Sequence, residues 1–407
     1  MTHHPESRAG TQQAERAERT LRADVVVVGA RCAGAATAML LADAGHDVLV
    51  LDRASFPSDT VSTHLISRSG MVQLDRWGLL DVLHRSGAPR ITTIEFDTVE
   101  GSVVRTVKDR YGIDHLLAPR RIVLDDVLQS AAVRAGARLE TGVAVDDVLR
   151  DDAGRVVGVT ARDTAGPLRV EARYVVGADG LGSRVARAVG APVVLERPHS
   201  GAVRYAYFAG DWSGIEYHVR DGALAGVFPT HGGEACVWVC APEDAVRRHS
   251  GHTSSGDDGL TALMADLVPG FLDRLDGTER TSGVRGMLRM PNHFRQAAGP
   301  GWALVGDAGH HRDAVTGHGI SDAYRDAELL AGALDRALSD PTSEATALAG
   351  YGSTRDRMAR RVFDITCELA AFPATARFVE LQRGLAVAID EQAAELASWP
   401  APTLAAA

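Results

Sequence analysis

The chain has 407 residues, a formal net charge of −10 at pH 7 and 45% apolar residues. This length is enough for two or three domain cores. A negative net charge without long runs of lysine or arginine provides no basic surface for a phosphate backbone, so we expect no nucleic-acid partner. The four cysteines show no metal-ligand spacing, so we predict no metal site, and such sparse cysteine fits a reducing cytoplasm.

Residues 1–22 are polar and charged, without the apolar core of a secretory signal. We therefore expect a disordered leader over 1–22. No run of about 18 apolar residues occurs in the sequence, which predicts no transmembrane segment.

The first regular elements have the pattern of a strand, a tight turn, a helix and a second strand. Val25 to Val28 is a run typical of a strand buried on both faces, Ala33 to Ala44 predicts a helix, and Asp47 to Asp52 predicts the second strand. The turn is the sequence GARCAG, residues 29–34. Together these elements predict one βαβ unit.

In the middle and at the end of the chain, the predicted helices and strands alternate less regularly. In chain order the sequence predicts a helix over 69–83, an antiparallel pair over 91–107, a helix over 121–136, short strands over 139–170, a buried strand from 174, four antiparallel strands over 200–241, a helix over 260–275, a strand over 283–290, a buried parallel strand over 302–306 and helices from 320 onward.

The GARCAG loop has the features of a dinucleotide site. Gly29 permits the tight turn, Gly34 permits close packing of helix on strand, and the helix N-terminus offers free N–H groups to a pyrophosphate. Asp52 ends the next strand, where a carboxylate accepts ribose hydroxyls. Arg31 replaces the second glycine of the usual pattern and either covers the phosphates or points to solvent. The predicted cofactor contacts here are Gly29, Ala30, Cys32, Ala33, Gly34, Asp52 and Arg53.

Two further glycine motifs follow. In residues 301–334 a buried strand ends in Gly306-Asp307, and Gly317-His318-Gly319 opens a helix. The sequence GADGLGSR, residues 177–184, lies between this motif and the first. Taken singly, Asp307 is explained as a helix cap and Asp179 as a turn residue. One bound cofactor explains all of them together.

With these motifs in this order, the chain from Ala23 to about Leu338 resembles the FAD-dependent monooxygenases of the para-hydroxybenzoate hydroxylase type. The resemblance implies that FAD is the cofactor, that Asp307 binds its ribityl chain, and that the Gly317–Gly319 segment lies against the flavin pyrimidine ring. It also implies that NAD(P)H binds transiently, partly through the GADGLG segment. The further cofactor residues that it implies are Arg121, Val145, Asp179, Gly306, Asp307, Gly317, Gly319 and Ile320.

The predicted fold class is therefore α/β, with a discontinuous Rossmann-like FAD-binding domain, an inserted antiparallel β-sheet substrate domain and a helical C-terminus. We assign 23–90, 111–195 and 296–338 to the FAD-binding domain, 91–110 and 196–295 to the β-rich domain, and 339–407 to the helical region. The protein is expected to be a monomer or a homodimer.

The function implied by the resemblance is hydroxylation of an aromatic or polyketide-like small molecule, with NAD(P)H and O2, through a flavin C4a-hydroperoxide. His64 follows the first βαβ unit and is our candidate acid, base or hydrogen-bond donor; a purely structural histidine is the alternative. Ala314 stands where relatives have a proline. The candidate residues for the substrate pocket are Tyr205, Tyr207, Phe228, Pro229, Trp238 and Arg289.

Three other functions remain open at this point. The GARCAG loop and the Arg121 segment also resemble the geranylgeranyl reductases, which would make the protein an alkene reductase. A flavin-dependent halogenase would need a lysine near the flavin, but the chain's lysine is Lys108, in a predicted strand away from the expected site. A protein that holds flavin without turnover is the third alternative.

Overall fold

The structure is a computed structural model that describes residues 18–198, 201–249 and 259–402. Over these residues the strands are, in chain order, β1 (Arg19–Val28), β2 (Val48–Asp52), β3 (Thr93–Thr98), β4 (Gly101–Thr106), β5 (Arg138–Thr141), β6 (Ala144–Arg150), β7 (Val156–Asp163), β8 (Gly166–Gly177), β9 (Val193–Arg197), β10 (Gly201–Ala209), β11 (Ile215–Arg220), β12 (Ala223–Pro229), β13 (Glu234–Pro242), β14 (Glu279–Arg280), β15 (Arg285–Met287), β16 (Asn292–Arg295), β17 (Ala298–Gly299), β18 (Trp302–Leu304) and β19 (His310–His311).

The helices of the same residues are α1 (Cys32–Asp43), α2 (Arg68–Arg76), α3 (Leu80–Arg85), α4 (Arg121–Arg134), α5 (Arg184–Ala188), α6 (Glu243–Arg248), α7 (Leu260–Leu267), α8 (Gly319–Ser339), α9 (Glu344–Leu369) and α10 (Thr375–Ala397). Short 3-10 turns cover Phe271–Leu275, Gly306–Ala308 and Ala314–Thr316.

One of the two large sheets is mostly parallel and has the strand order β17-β18-β8-β1-β2-β5. β1 runs parallel to both of its neighbours, so that Val27 lies opposite Val50 of β2 and Val176 of β8. Val25 and Val27 face the core that contains α1 and α8, whereas Val26 and Val28 face the core formed by β6, β7 and α5. Because both faces are covered, every position of this strand end is apolar.

A second sheet is mainly antiparallel and has the order β14-β10-β13-β12-β11-β3-β4, with β15 on β10. The hairpin of β3 and β4 joins it through a parallel pairing of β3 with β11. The outer face carries small side chains and packs on α6, α7 and the Phe271–Leu275 turn. The inner face carries larger ones and belongs to the same core as α1 and α8.

The C-terminal helices pack against the helices that accompany the parallel sheet. Helix α8 packs on α1, α9 packs on α8, and α10 packs on both α2 and α9. These observations confirm the predicted fold class, a mixed α/β protein with an antiparallel sheet and a helical C-terminus. The inner face of the second sheet shares one core with α1 and α8, the helices that follow the first and third glycine motifs.

Several predicted element boundaries were wrong. The first strand begins at Arg19, so the last four residues of the predicted leader are ordered, paired with β8; the leader up to residue 17 lies outside the described residues. The helix predicted over 69–83 is divided at Gly78, whose φ of +69° cannot continue a helix. Likewise the helix predicted over 260–275 ends before Gly270, at φ +82°. The strand predicted over 283–290 is limited to β15.

Candidate cofactor and substrate site

The three glycine motifs, although far apart in sequence, lie side by side at the ends of β1, β8 and β18. Gly29 has a φ of +107°, and a Cβ added to it would lie 2.4 Å from the carbonyl oxygen of Ala178. A Cβ on Gly306 would lie 2.9 Å from the Cβ of Ala33. Parallel strands bring their carboxyl ends to one edge of the sheet, which is where nucleotide folds bind their ligands. The three motifs therefore form one site.

Asp52 is fastened to this site through backbone N–H groups. Its Oδ2 accepts from Ala30 at 2.8 Å, and its Oδ1 accepts from Ala54 at 2.8 Å. The side chain of Gln129 in α4 donates to the carbonyl oxygen of Ala30 at 2.8 Å and holds the loop from the other side. Each carboxylate oxygen of Asp52 retains a lone pair, so the predicted contact to ribose hydroxyls is compatible with this geometry.

The backbone at two helix starts fits the charge and shape of FAD. Neither Arg31 before α1 nor His318 before α8 caps its helix with a side chain. Open space surrounds the position of a Cβ on Gly319. Asp307 is exposed in the first turn of the short 3-10 segment Gly306–Ala308. Unpaired N–H groups suit a pyrophosphate at α1 and carbonyl oxygens of a pyrimidine ring at α8, and a free carboxylate suits the ribityl hydroxyls.

Asp179 has a structural role of its own. It accepts hydrogen bonds from the hydroxyl of Ser183 at 2.5 Å, from the backbone of Arg184 at 2.6 Å and from that of Val185 at 3.2 Å. These bonds fasten the start of α5. A contact of Asp179 with the cofactor stays a prediction.

The other cofactor candidates of the sequence take different positions. Cys32 and Ala33 begin α1, Arg53 is exposed after β2, and Ile320 is buried in the first turn of α8. Val145 lies in β6, and its side chain is buried in the core behind the parallel sheet. Its backbone can still border an adenine, which the structure leaves as a prediction.

The side chain of Arg31 does not point freely to solvent but forms polar contacts with other segments. Its Nη1 lies 2.6 Å from Oδ2 of Asp125, and its Nη2 donates to the hydroxyl of Ser58 at 3.0 Å. The Nη2 of Arg121 reaches Oδ1 of the same carboxylate at 2.9 Å, as the thiol of Cys32 does at 3.5 Å. Burial raises the pKa of that thiol to about 12, so it stays protonated at neutral pH.

The aromatic residues predicted for the pocket share the inner face of the antiparallel sheet. Tyr205, Tyr207, Phe228 and Trp238 are all buried there, with Tyr217 packed beside them. Phe228 and Trp238 have ring centroids 5.2 Å apart. Since alternate residues of a strand face the same side, the spacing of these residues explains their shared face.

Two of the predicted pocket residues lie elsewhere. Pro229 is paired with Ala235, which belongs to the outer face, so it points away from Phe228. The side chain of Arg289 is 70% exposed and lies 3.4 Å from Glu243 at the start of α6. Both predictions were wrong, the first because neighbouring positions of a strand face opposite sides.

His64 lies between the two halves of the molecule. It is buried at φ +71°, and its Nε2 is hydrogen-bonded to the hydroxyl of Tyr207, while its Nδ1 has no partner among the described residues. The guanidinium of Arg120 lies over the Tyr207 ring, 3.7 Å from its centroid. Burial and the nearby Arg121 cation lower the pKa of His64 well below its usual range, so the ring is neutral.

A narrow cavity connects the aromatic face to the loop before α8. It is lined by Thr63, Tyr217, Phe228, Trp238 and the residues 314–317. The indole N–H of Trp238 is buried there without a partner among the described residues. The loop that is predicted to touch the flavin ring thus also forms a wall of the candidate substrate pocket.

The loop from His310 to Asp313 is buried. The ring of His310 stacks on Phe294 with centroids 4.3 Å apart. Burial raises the pKa of the Asp313 carboxyl to about 7, although the carboxyl accepts a hydrogen bond from the backbone of Val315 at 2.9 Å. Over the described residues no group of three or more His, Cys, Asp or Glu side chains could hold a metal ion.

Sequence reasoning missed Asp125, Ser58, Arg120 and Tyr217. A signal existed for the first, because Asp125 follows Arg121 by four positions, a spacing that brings side chains together on a helix. Ser58 and Arg120 carry no such signal, since their partners come from other segments.

Comparison with known proteins places this geometry in a wider group. Residues 22–366 match the family described as FAD binding domain. The chain is 31% identical over 326 residues to menaquinone reductase of Mycolicibacterium smegmatis, covering 76% of each protein. It is 29% identical to digeranylgeranylglycerophospholipid reductase 1 of Methanopyrus kandleri, over 85% of this chain and 89% of that protein.

Among solved structures, the fold is similar to that of PqsL from Pseudomonas aeruginosa, "a probable FAD-dependent monooxygenase". The TM-score is 0.73 and the identity 23%, over 89% of this chain and 100% of that one. The chain therefore belongs to the FAD binding domain family. It is an FAD-dependent oxidoreductase.

Proposed function

We propose that this protein is a monooxygenase that hydroxylates a small aromatic or polyketide-like molecule with NAD(P)H and O2. The observation that carries the proposal is the narrow cavity between the aromatic inner face and the residues 314–317. The aromatic side chains that line it suit a planar ring held against a flavin, and its apolar walls exclude water.

In this proposal the chain's own residues bind and orient, while bound FAD supplies electron transfer from NAD(P)H and the activation of O2. Phe228, Trp238 and Tyr217 enclose the substrate ring. The free indole N–H of Trp238 donates a hydrogen bond to a substrate oxygen, because leaving it unpaired costs about 1–3 kcal/mol.

We assign His64 the role of a hydrogen-bonding group. Its Nε2 is engaged by Tyr207, so Nδ1 is the atom left for a substrate hydroxyl. Its lowered pKa keeps the ring neutral and makes it a weak base, so in this proposal it orients the substrate and does not accept its proton. Arg120, stacked on Tyr207, holds the other member of the pair in place.

A second candidate function is reduction of a carbon–carbon double bond. It is favoured by the similarity to menaquinone reductase and to digeranylgeranylglycerophospholipid reductase 1, which are named as reductases.

The two functions are separated by the mass of the product. The full chain, loaded with FAD, is incubated with NADH or NADPH and a panel of phenols, hydroxyquinones and menaquinone, in air enriched in 18O2 and, separately, without O2. Incorporation of one 18O atom into a phenolic or quinone product supports the monooxygenase. A gain of two hydrogens without O2 that persists after reoxidation in air, which returns a quinol to its quinone, identifies the double-bond reductase.

A matched variant controls for adventitious flavin chemistry. Trp238→Phe keeps an aromatic side chain but removes the N–H together with part of the indole, so we expect KM for the true substrate to rise about 10-fold with little change in kcat. Hydrogen peroxide formation that no substrate stimulates, with neither product, would contradict both functions. Use of NAD(P)H, a cytoplasmic location and the state of monomer or homodimer belong to this proposal as predictions.

A further inference from the structure

The aromatic inner face of the antiparallel sheet continues beyond the narrow cavity. The rings of Trp238 and Tyr217, which both line the cavity, have centroids 6.0 Å apart. Tyr217 in turn stacks on Phe96 of β3, with centroids 5.1 Å apart and an angle of 14° between the ring planes. Since both distances are within the range of aromatic contact, Trp238, Tyr217 and Phe96 form one continuous aromatic strip.

Exposure increases along the aromatic strip from the cavity outward. Trp238 is 2% exposed, whereas Tyr217 and Phe96 are half-buried. Val103, the residue of β4 that is paired with Phe96, is 53% exposed. The inner end of the strip is therefore closed to water, and its outer end reaches solvent at the hairpin of β3 and β4.

The middle of the strip has apolar surroundings. The ring of Phe228 meets Tyr217 at a centroid distance of 5.7 Å. Burial raises the pKa of the Tyr217 hydroxyl above its usual value, with no contribution from charged groups of the described residues. A single exposed apolar residue is ordinary in a soluble protein, but a continuous apolar surface that begins inside a cavity indicates a binding surface.

We propose that Tyr217 and Phe96 form an apolar subsite that extends the substrate pocket, and that the substrate is a ring bearing a hydrocarbon substituent, which lies along them towards the hairpin. The proposal rests on the proposed function for the position of the ring, between Trp238 and residues 314–317. A hydrocarbon chain on that ring removes apolar surface from water on both sides when it lies on the strip. A ring without a substituent would leave the strip in contact with water.

A competing explanation is that Phe96 and Tyr217 stack only to hold the hairpin against the rest of the sheet. Cross-strand aromatic pairs stabilise sheets in this way. In that case the loss of Phe96 would lower the free energy of unfolding, but it would not alter how the affinity for a ligand depends on the length of its chain. The two explanations therefore differ in a binding measurement that needs no turnover.

The test is equilibrium dialysis of para-ethyl-, para-butyl- and para-hexylphenol against the full-length, FAD-loaded protein without NAD(P)H. Each added methylene should tighten binding about 2- to 4-fold, where the upper value is that of a fully buried methylene. The phenol ring is the same in all three probes, so the change of Kd with chain length reports the surroundings of the chain.

Three variants locate the chain on the protein. Phe96→Asn should reduce the gain per methylene to less than about 1.5-fold, because water replaces the ring. Phe96→Leu keeps an apolar side chain and should retain most of the gain. Val104→Asn is the matched control, since Val104 lies in the same hairpin, is 63% exposed and faces the opposite side of the sheet. It should leave the gain unchanged.

The outcomes separate this inference from the hydroxylation. Affinities that do not change with chain length overturn the subsite and leave hydroxylation of the ring to its own isotope test. An equal gain in Phe96→Asn and in the wild type also overturns the subsite, because the chain then binds elsewhere. A gain that Phe96→Asn removes and Phe96→Leu restores, found without oxygen incorporation, supports the subsite and contradicts the hydroxylation alone. Absence of binding of all three phenols contradicts both.

Discussion

The parallel sheet and the antiparallel sheet of this protein build their parts of the site in different ways. At the end of the parallel sheet, backbone meets backbone, as where Gly29 approaches the carbonyl of Ala178. On the inner face of the antiparallel sheet, side chains meet side chains, as where Trp238 lies against Phe228. A backbone contact tolerates only glycine, whereas an apolar face tolerates many residues of similar volume.

This difference explains why the sequence of the parallel-sheet half indicates its ligand, whereas the sequence of the antiparallel-sheet half does not. FAD is a large ligand of constant chemical structure. Its phosphates and hydroxyls need N–H groups and carboxylates at set positions. A substrate pocket is defined by shape, which arises from the packing of side chains on several strands. The following predictions, from the largest expected effect to the smallest, test whether the two halves are separate in this sense.

The largest effect is expected from Gly29→Ala. The new methyl group would lie 2.4 Å from the oxygen of Ala178 at a φ of +107°. We expect the free energy of unfolding to fall by at least about 2 kcal/mol and FAD binding to be lost. Urea unfolding and FAD titration measure the two. Gly154→Ala, at φ +82° with no atom within 4 Å, is the control and should cost about 1 kcal/mol. Equal behaviour of the two variants would contradict the tight backbone contact.

Gly226→Ala makes the corresponding test in the antiparallel sheet. A Cβ there would lie 2.4 Å from Cζ2 of Trp238 and 2.7 Å from the oxygen of Glu216. We expect a loss of stability of about 1–3 kcal/mol, because the indole ring must shift, with FAD affinity changed less than about 3-fold. A urea unfolding curve measures the loss of stability, and an FAD titration measures the affinity. Loss of FAD binding in a folded variant would break the distinction between the halves.

His64→Asn tests the contact between the two halves through the pH dependence of the free energy of unfolding. The native ring stays neutral because its pKa is lowered, whereas the unfolded chain takes up a proton below about pH 6.5. Stability therefore falls as the pH drops below that value, by about 1.4 kcal/mol per pH unit for this group. Asparagine tolerates the φ of +71° and removes the contribution.

The measurement is urea unfolding between about pH 5 and pH 7.5. Tyr207→Phe, which removes the same hydrogen bond but keeps the imidazole, should retain the wild-type slope. If His64→Asn also retained that slope, His64 would be protonated in the native protein and our account of its burial would fail.

The smallest effect is expected at the edge of the antiparallel sheet. Val104 of β4 is 63% exposed and takes no part in the inner face. Val104→Thr should change the free energy of unfolding by less than about 0.5 kcal/mol and leave FAD affinity and turnover unchanged. Thermal unfolding and the substrate assay are sufficient. A change of KM would show that the pocket extends to this edge.

Much of the parallel half was predictable because its signals are local. The run Val25 to Val28 predicted a strand buried on both faces, and both faces are covered by separate cores. Gly29 was predicted to permit a tight turn, and its φ is positive. By contrast, the inner-face prediction was wrong for Pro229, which faces the opposite side of its strand from Phe228, and for Arg289, which is exposed beside Glu243.

The sequence by itself therefore determined the order of the elements, the cofactor class and the family, because these depend on residues within one turn or one strand of each other. Only the tertiary structure decided that Arg31 and Arg121 share Asp125, that Tyr207 meets His64, and that the loop at residue 314 borders the aromatic pocket. Each of these contacts joins segments whose distance is set by the packing of helices and sheets, and no local pattern of residues encodes such a distance.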